Sequence, residues 1–217
     1  MKLFLDSANS QEIIERYSTG LISGITTNPT LIKKNGEMPY LVYRKLEEAG
    51  IQDISMEVVG EDEQTLFSNA MGHAKEWDEI ATIKLPCSMD GLRVCKRLSS
   101  VGIRTNVTLV FSPSQAILAA LAGATYVSPF VGRMDDNSLD GLHLIAEISS
   151  VFKRNNVTTQ LLAASIRDVQ SVSRAFDAGA DICTIPTKVF DNMYNHVLTD
   201  KGIAQFNLDA SDFDRNF

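Results

Sequence analysis

Residues 81–100 read ATIKLPCSMDGLRVCKRLSS, a short apolar run followed by a stretch with helical spacing. The run Ala81–Leu85 has the length and the apolar residues of a buried strand. In Gly91–Ser100, apolar residues recur every three or four positions, as one face of a helix requires. The stretch therefore predicts one strand–helix unit, with a lysine, Lys84, inside the strand.

The same alternation continues in both directions along the chain. The predicted strands are Lys2–Asp6, Ser23–Asn28, Ile54–Val58, Ala81–Leu85, Thr105–Val110, Tyr126–Val131, Thr159–Ala164 and Ile182–Ile185. Predicted helices between them include Glu61–Trp77, Gly91–Ser100, Ser114–Ala122 and Asp168–Ala178. No linker rich in proline, serine or glycine separates these units, which indicates a single domain over residues 1–217.

Repeated strand–helix units are compatible with a closed barrel or with a long doubly wound sheet. The number of predicted strands favours the barrel, and no G-x-G-x-x-G turn follows the first strand as in a dinucleotide-binding sheet. We therefore predict an α/β fold, a single-domain (β/α)8 TIM barrel. An additional C-terminal helix is predicted at Asp200–Asn207.

Composition restricts the classes of partner. A formal net charge of -7 argues against nucleic acid, which normally binds a basic surface. No window approaches the roughly 18 apolar residues of a membrane span, and the first residues lack the apolar stretch of a signal peptide. The 3 cysteines show no metal-ligand spacing. We expect a cytoplasmic protein without nucleic-acid or membrane partners, and without a metal ion or cofactor.

Polar side chains concentrate late in the predicted strands or just beyond them, where a TIM barrel places its active site. They are Asp6, Thr26, Thr27, Asn28, Glu57, Lys84, Asn106, Thr108, Ser128, Arg133, Ser165 and Arg167. Some have structural alternatives. Asp6 and Ser165 are also suited to cap helices, and Asn28 to form a turn.

Glu57 and Lys84 are charged residues inside apolar runs, where an unpaired charge is costly to bury. A buried ion pair between them is the structural explanation. The chemical explanation is that a lysine deprived of water is more readily neutral, and a neutral amine attacks carbonyl groups to form an imine. Asp6 or Glu57 would then serve as the base. Arg133, Ser165 and Arg167 suit a phosphate, because guanidinium groups bind phosphate through paired hydrogen bonds.

The chain also resembles a known family. The motifs LFLDSA, GITTNPTLI, ISMEVV, ATIKLP, TNVTLVFSPSQA, AGATYVSPFVGRMDD and LLAASIR resemble those of transaldolases. The compact length resembles the small subfamily that includes fructose 6-phosphate aldolases, and the likeness runs from Leu3 to about Leu208. The resemblance implies that Lys84 forms a Schiff base with a sugar phosphate.

The resemblance also implies roles for the other polar residues. Asp6 is the acid/base on the substrate hydroxyls, while Glu57 and Thr108 hold a water that relays protons. Residues expected to contact the substrate are Thr27, Asn28, Asn106, Ser128 and Phe130, and those expected to bind its phosphate are Arg133, Ser165 and Arg167.

Two positions separate transferases from aldolases in this family. The resemblance implies glutamine at position 57 and tyrosine at position 130 in the aldolases, and this chain has Glu57 and Phe130. Without a tyrosine hydroxyl the enamine is expected to await an aldehyde acceptor. The predicted activity is that of the pentose phosphate pathway, sedoheptulose 7-phosphate plus glyceraldehyde 3-phosphate giving erythrose 4-phosphate plus fructose 6-phosphate.

The sequence is also compatible with two other functions. One is a fructose 6-phosphate aldolase, and the other is a non-catalytic barrel that binds sugar phosphates, favoured if Lys84 is permanently ion-paired. A homo-oligomer is expected because the last helix carries Ile203 and Phe206 beyond the eighth unit. The resemblance to small transaldolases implies a ring-shaped pentamer or decamer. The alternative is that this helix packs against its own barrel.

Overall fold

The protein folds as a closed barrel of eight parallel strands in sequence order, β1 to β8. The computed structural model describes residues 1–216, with the side chains of residues 1–211. The strands are β1 (Lys2–Asp6), β2 (Ile22–Thr26), β3 (Ile54–Glu57), β4 (Ala81–Pro86), β5 (Thr105–Val110), β6 (Tyr126–Pro129), β7 (Gln160–Ala163) and β8 (Ile182–Ile185). Pairing of β1 with β8 closes the ring, which confirms the predicted TIM barrel over the doubly wound sheet.

Helices follow every strand and surround the barrel. They are α1 (Ser10–Tyr17), α2 (Pro29–Asn35), α3 (Pro39–Glu48), α4 (Glu63–Trp77), α5 (Met89–Ser99), α6 (Pro113–Leu121), α7 (Val131–Asp136), α8 (Gly141–Arg154), α9 (Val169–Asp177), α10 (Thr187–Asn192) and α11 (Val197–Asn216). A short 3-10 turn at Asp78–Ile80 leads into β4. No helix in the described part of the chain is long and apolar enough to cross a membrane.

The sequence explains where most of these helices begin. Side chains at the N-cap accept a hydrogen bond from the first turn in seven of them, at Asn9, Asn28, Asp62, Ser88, Ser112, Asp140 and Asp168. Proline opens α2, α3 and α6, where its missing N–H is not needed. The capping alternatives for Asp6 and Ser165 are therefore wrong, since Asn9 and Asp168 cap the helices that follow them.

Several predicted boundaries differ from the structure, and two of these differences concern the candidate site and the last helix. Strand β2 ends at Thr26, so Thr27 and Asn28 lie beyond it. The last helix runs from Val197 to Asn216, longer than predicted at both ends, because its acidic C-terminal stretch continues the helix. Among the side chains described in this helix, up to residue 211, the large apolar ones are more than half exposed: Val197, Leu198, Ile203, Phe206 and Leu208.

Two layers of apolar packing hold the barrel. The larger lies between the strands and the surrounding helices. The smaller fills the bore and contains Phe4, Tyr126, Leu162, Ala164 and Ile182. A Cβ atom at position 24 would lie 2.5 Å from the Phe4 ring, so glycine on β2 makes the room that this ring occupies.

Polar side chains also occupy the amino-terminal end of the bore. Asp53 accepts hydrogen bonds from the Thr82 hydroxyl at 2.8 Å and the Tyr126 hydroxyl at 2.6 Å. Arg104 completes the group with an ion pair to Asp53 at 3.2 Å. Burial and the neighbouring Asp53 carboxylate raise the pKa of Tyr126 above its ordinary value. The Asp53 carboxylate is therefore buried with hydrogen-bond partners and an ion pair. The group lies at the end of the bore opposite the barrel mouth.

Candidate active site

A cavity opens at the carboxyl ends of the strands. It is lined by Asp6, Thr26, Asn28, Lys84, Ser128, Phe130, Arg133, Leu162, Ala164, Ser165 and Thr184. Seven of the residues predicted from the sequence as site residues are in this lining: Asp6, Asn28, Lys84, Ser128, Phe130, Arg133 and Ser165. The cavity occupies the position at which TIM barrels carry their active sites.

Lys84 lies on β4 with its side chain only 5% exposed. Its Nζ donates to Glu57 Oε2 at 2.9 Å and to the Thr27 carbonyl at 3.1 Å. Glu57 and Lys84 are direct neighbours in the pairing of β3 with β4, which places both side chains on the inner face. The ion pair considered from the sequence is therefore present. The ion pair does not exclude Lys84 from the cavity, because this residue also lines it.

Asp6 ends β1 beside Thr26 of β2 and faces the same cavity. Its Oδ1 accepts a hydrogen bond from the Thr26 hydroxyl at 2.7 Å. Burial raises the pKa of Asp6 above its ordinary value, although the positive charge of Lys84 and the Thr26 hydrogen bond oppose the rise. The Asp6 carboxylate consequently takes up a proton more readily than an exposed aspartate does.

Asn106 and Ser128 form a buried polar chain with Ser55. The Asn106 amide donates to Ser55 Oγ at 3.1 Å, and its Oδ1 accepts from Ser128 Oγ at 2.6 Å. These two contacts fix which end of the amide faces β6. Of the three residues, only Ser128 lines the cavity. Asn106, which was predicted to contact the substrate, lies behind Ser128 and is hydrogen-bonded to it.

Thr108 is fully buried on β5. Its hydroxyl oxygen has no hydrogen-bond partner among the residues whose side chains are described. A buried hydroxyl without a partner is unusual and leaves both a donor and an acceptor free for a small polar ligand.

Thr27 is oriented differently from the prediction. Its hydroxyl is within 3.0 Å of both the Tyr43 hydroxyl and the Ser55 carbonyl, and its side chain is absent from the cavity lining. The reason is strand alternation: with Thr26 facing the bore, the next side chain points out of it. Thr27 contacts the candidate site through its carbonyl oxygen, which accepts from Lys84. Asn28 keeps its place at the cavity while its Oδ1 caps α2 at 2.9 Å from the Leu31 amide.

The three residues predicted to bind phosphate lie near one another but are not equivalent. Arg133 lies 4.7 Å above the Phe130 ring and, with Ser165, lines the cavity. Arg167 forms a two-pronged ion pair with Asp136 and is 53% exposed. This guanidinium lowers the pKa of Asp136. Arg133 is thus the arginine directly available to a ligand.

The loop that carries Ser165 is packed tightly against α7. Ser165 has a left-handed backbone, with φ 61°. A Cβ atom at Gly132 would come within 2.3 Å of the Ser165 carbonyl and 2.8 Å of Arg167 Nε. Glycine at position 132 therefore allows the two segments that bear Arg133 and Ser165 to approach.

Sequence reasoning did not single out Thr184 or Ser55. Thr184 lines the cavity, and its hydroxyl lies 2.6 Å from that of Thr26. The available signal was a polar residue at an inward-facing position of an apolar strand, in ICTI, residues 182–185. Within the described residues, no group of three or more His, Cys, Asp or Glu side chains is arranged to hold a metal ion.

The chain has similarity to known proteins over almost all of its length. The family model described as Transaldolase/Fructose-6-phosphate aldolase matches residues 3–216. A "Probable transaldolase" from Carboxydothermus hydrogenoformans is 47% identical over 209 residues, which cover 96% of this chain and 97% of the relative. Proteins with the same name from Clostridioides difficile and Methanococcus maripaludis are 47% and 44% identical, each over 96% of this chain and over 96% and 97% of the relatives.

A solved structure named as a putative fructose-1,6-biphosphate aldolase from Coccidioides immitis matches with a TM-score of 0.59 at 12% identity. The match covers 85% of this chain and 73% of that one, and it supports the barrel fold alone. The family match and the relatives extend through every strand that contributes to the cavity. This chain belongs to the transaldolase/fructose-6-phosphate aldolase family.

Proposed function

We propose that this chain is a single-domain, cytoplasmic, Schiff-base transaldolase of the pentose phosphate pathway. It transfers a dihydroxyacetone unit from a ketose phosphate, sedoheptulose 7-phosphate or fructose 6-phosphate, to an aldose phosphate. The observation that carries the proposal is Lys84, a buried lysine that faces the same cavity as Asp6 and Arg133. An amine, an acid/base and a phosphate-binding group are the three parts that such a transfer requires.

The first half of the reaction forms the imine and breaks a carbon–carbon bond. The Lys84 amine attacks the ketone carbon, and loss of water gives the iminium ion. Asp6 takes the proton of the hydroxyl on the carbon beyond the bond that breaks, that bond's electrons move into the iminium, and an aldose phosphate leaves. The burial of Asp6 supports this role, because a raised pKa brings its carboxylate closer to the working pH of a general base.

The second half reverses these steps on a new acceptor. The enamine on Lys84 attacks the aldehyde carbon, Asp6 returns its proton to the new alkoxide, and water hydrolyses the imine to free the amine. Glu57 lies 2.9 Å from Lys84 Nζ, close enough to exchange protons with the nitrogen and with the water. The free Thr108 hydroxyl supports the proposal that Glu57 and Thr108 hold this water between them.

The residue type at position 130 supports the proposal of transfer over cleavage. Its ring packs between Phe111, 5.9 Å away, and the Arg133 guanidinium. A phenylalanine offers no acidic proton to the enamine, so the enamine persists until an aldehyde arrives. A fructose 6-phosphate aldolase requires the opposite, a proton donor that releases free dihydroxyacetone.

Trapping with borohydride tests the proposal. Borohydride added with fructose 6-phosphate should reduce the imine and attach a sugar-derived mass to the peptide that contains Lys84. Replacement Lys84→Met should abolish both this adduct and the transfer activity. Lys96, an exposed lysine on α5, gives the matched control, and Lys96→Met should retain both.

The ion pair of Lys84 with Glu57 is the observation that favours a non-catalytic, sugar-phosphate-binding barrel. Such a barrel would bind ketose phosphates without any adduct at Lys84. Absence of trapping in a protein that still binds the substrate would therefore replace the transaldolase proposal with this alternative.

We also propose that the protein is a homo-oligomer, a pentamer or decamer. Support comes from α11, which exposes Ile203 and Phe206 at 53% and 73% along a 20-residue helix. An isolated helix of this composition gains little from its own propensity and is normally stabilised by packing an apolar face. Light scattering at micromolar concentration should give a mass several times 23.8 kDa, and a monomer would refute the proposal.

A further inference from the structure

Thr184 contributes a buried hydroxyl to the cavity from the opposite side of β1 to Thr26. The Thr184 and Thr26 hydroxyl oxygens are 2.6 Å apart, and Thr26 is in turn 2.7 Å from Asp6 Oδ1. The three groups form a chain across β8, β2 and β1. The proposed transfer chemistry makes no use of Thr184.

The number of available protons sets the direction of this chain. An ionised carboxylate only accepts hydrogen bonds, and a hydroxyl has a single proton to give. Thr26 must therefore donate to Asp6, which leaves its oxygen to accept from Thr184. Each donor polarises the next, so the Thr184 hydroxyl strengthens the bond that Asp6 receives.

The chain also distinguishes the two oxygens of Asp6. Thr26 occupies Oδ1, and no described residue donates a side-chain hydrogen bond to Oδ2. Because Asp6 lines the cavity, Oδ2 is the oxygen left to a substrate hydroxyl.

We propose that Thr184 is a positioning residue for the transfer reaction: acting through Thr26, it keeps Asp6 Oδ1 occupied and leaves Oδ2 to exchange the proton of the substrate. The inference rests on the proposed acid/base role of Asp6. Thr184 is not assigned contact with the reacting atoms.

The other titratable groups around Asp6 are not bonded to the side chain at position 184. Lys84 of β4, Glu57 of β3 and Arg133 of α7 are the titratable side chains that face Asp6 or its cavity, and none of them contacts the Thr184 hydroxyl. A change in the titration of the reaction on substitution at Thr184 therefore reports on the hydroxyl chain.

Thr184→Val removes the hydroxyl with little change of shape, and Thr184→Ser keeps the hydroxyl while removing a methyl group. Losing one hydrogen bond to the chain should raise the pKa on the acidic limb of kcat/KM by roughly 0.3 to 1 unit in Thr184→Val. Thr184→Ser should match the wild type. Thr105→Val is the matched control, because Thr105 is equally buried but bonds Cys95 outside the cavity, and its profile should not move.

The inference would be overturned if the acidic limb of the kcat/KM profile were the same in Thr184→Val and in the wild type. If the valine variant fails to fold, Thr184→Ala provides the same loss of the hydroxyl, with the same shift expected and the same coincidence refuting it. Borohydride trapping at Lys84 in the wild type separates this result from the proposed function. Trapping with an unmoved acidic limb contradicts only the role of Thr184, whereas no trapping and no transfer contradict both.

Discussion

Replacement of Arg133 by alanine should weaken the reaction of phosphorylated substrates far more than that of unphosphorylated ones. The Arg133 guanidinium lines the cavity and rests on the Phe130 ring at 4.7 Å. Among the residues whose side chains are described, it has no carboxylate partner, while Arg167 is held by Asp136. Arg133 can bind a phosphate without giving up an existing ion pair, and Arg167 cannot.

The magnitude follows from this difference. Truncating one partner of a charged, hydrogen-bonded contact in a desolvated site costs about 2 to 4 kcal/mol. We expect kcat/KM for fructose 6-phosphate to fall roughly 30- to 900-fold in Arg133→Ala, since each 1.36 kcal/mol is a factor of ten. The loss in Arg167→Ala should be smaller, because that guanidinium exchanges Asp136 for phosphate and is half exposed.

The assay compares each variant with phosphorylated and unphosphorylated acceptors. Arg133→Lys is the informative control, since it keeps the charge but loses the paired hydrogen bonds, and it should retain part of the activity. Arg174→Ala, an exposed arginine on α9, should behave as the wild type. An equal loss in Arg133→Ala for glyceraldehyde and glyceraldehyde 3-phosphate would refute the phosphate-binding role.

Two further replacements test the chemistry at the centre of the cavity. Phe130→Tyr should raise the release of free dihydroxyacetone from fructose 6-phosphate about ten-fold when no acceptor is present. This factor corresponds to about 1.4 kcal/mol of transition-state stabilisation by a positioned proton donor. A wild-type protein that already cleaves as fast as it transfers would contradict the reasoning. Asp6→Asn should abolish transfer yet raise the free energy of unfolding in urea at neutral pH, since a raised pKa means that the ionised carboxylate destabilises the fold. That gain should shrink as the pH falls through the raised pKa of Asp6 towards its ordinary value of 3.8, and a variant less stable than the wild type at neutral pH would oppose the reasoning.

All eight strands are present at the positions that apolar runs predict, because each run is short, β-branched or apolar, and bounded by polar segments. Helices α1, α2, α3, α7, α8 and α10 were not named from the sequence. Of these, α2, α3, α7 and α10 are short, between 6 and 10 residues, and lie in connections where proline or glycine obscures the helical period. Asn28 caps α2, whereas α3, α7 and α10 begin without a side-chain cap and depend on packing against the rest of the barrel.

Most polar residues of the cavity lining follow from the rule that polar side chains near strand ends face the mouth, whereas Thr184 was missed and Phe130 came from the resemblance alone. The hydrogen-bond and ion-pair partners of these residues could not be predicted from the sequence. The pairing of Lys84 with Glu57 is a consequence of strand register, and that of Arg167 with Asp136 joins the segment after β7 to the last residue of α7. Thr27 shows the limit most clearly, because it follows the inward-facing Thr26 and its hydroxyl points away from the bore, towards Tyr43.

Closure of the barrel makes the order of synthesis matter. Strand β1 is synthesised about 180 residues before its partner β8. At about 5 to 20 residues per second, β1 waits roughly 10 to 35 seconds with one edge unpaired. Until then Phe4 and Leu5, both fully enclosed in the finished protein, remain open to other chains. A nascent or truncated chain that stops before Ile182 leaves the edges of β1 and β7 unpaired, so the barrel cannot close until β8 has been made.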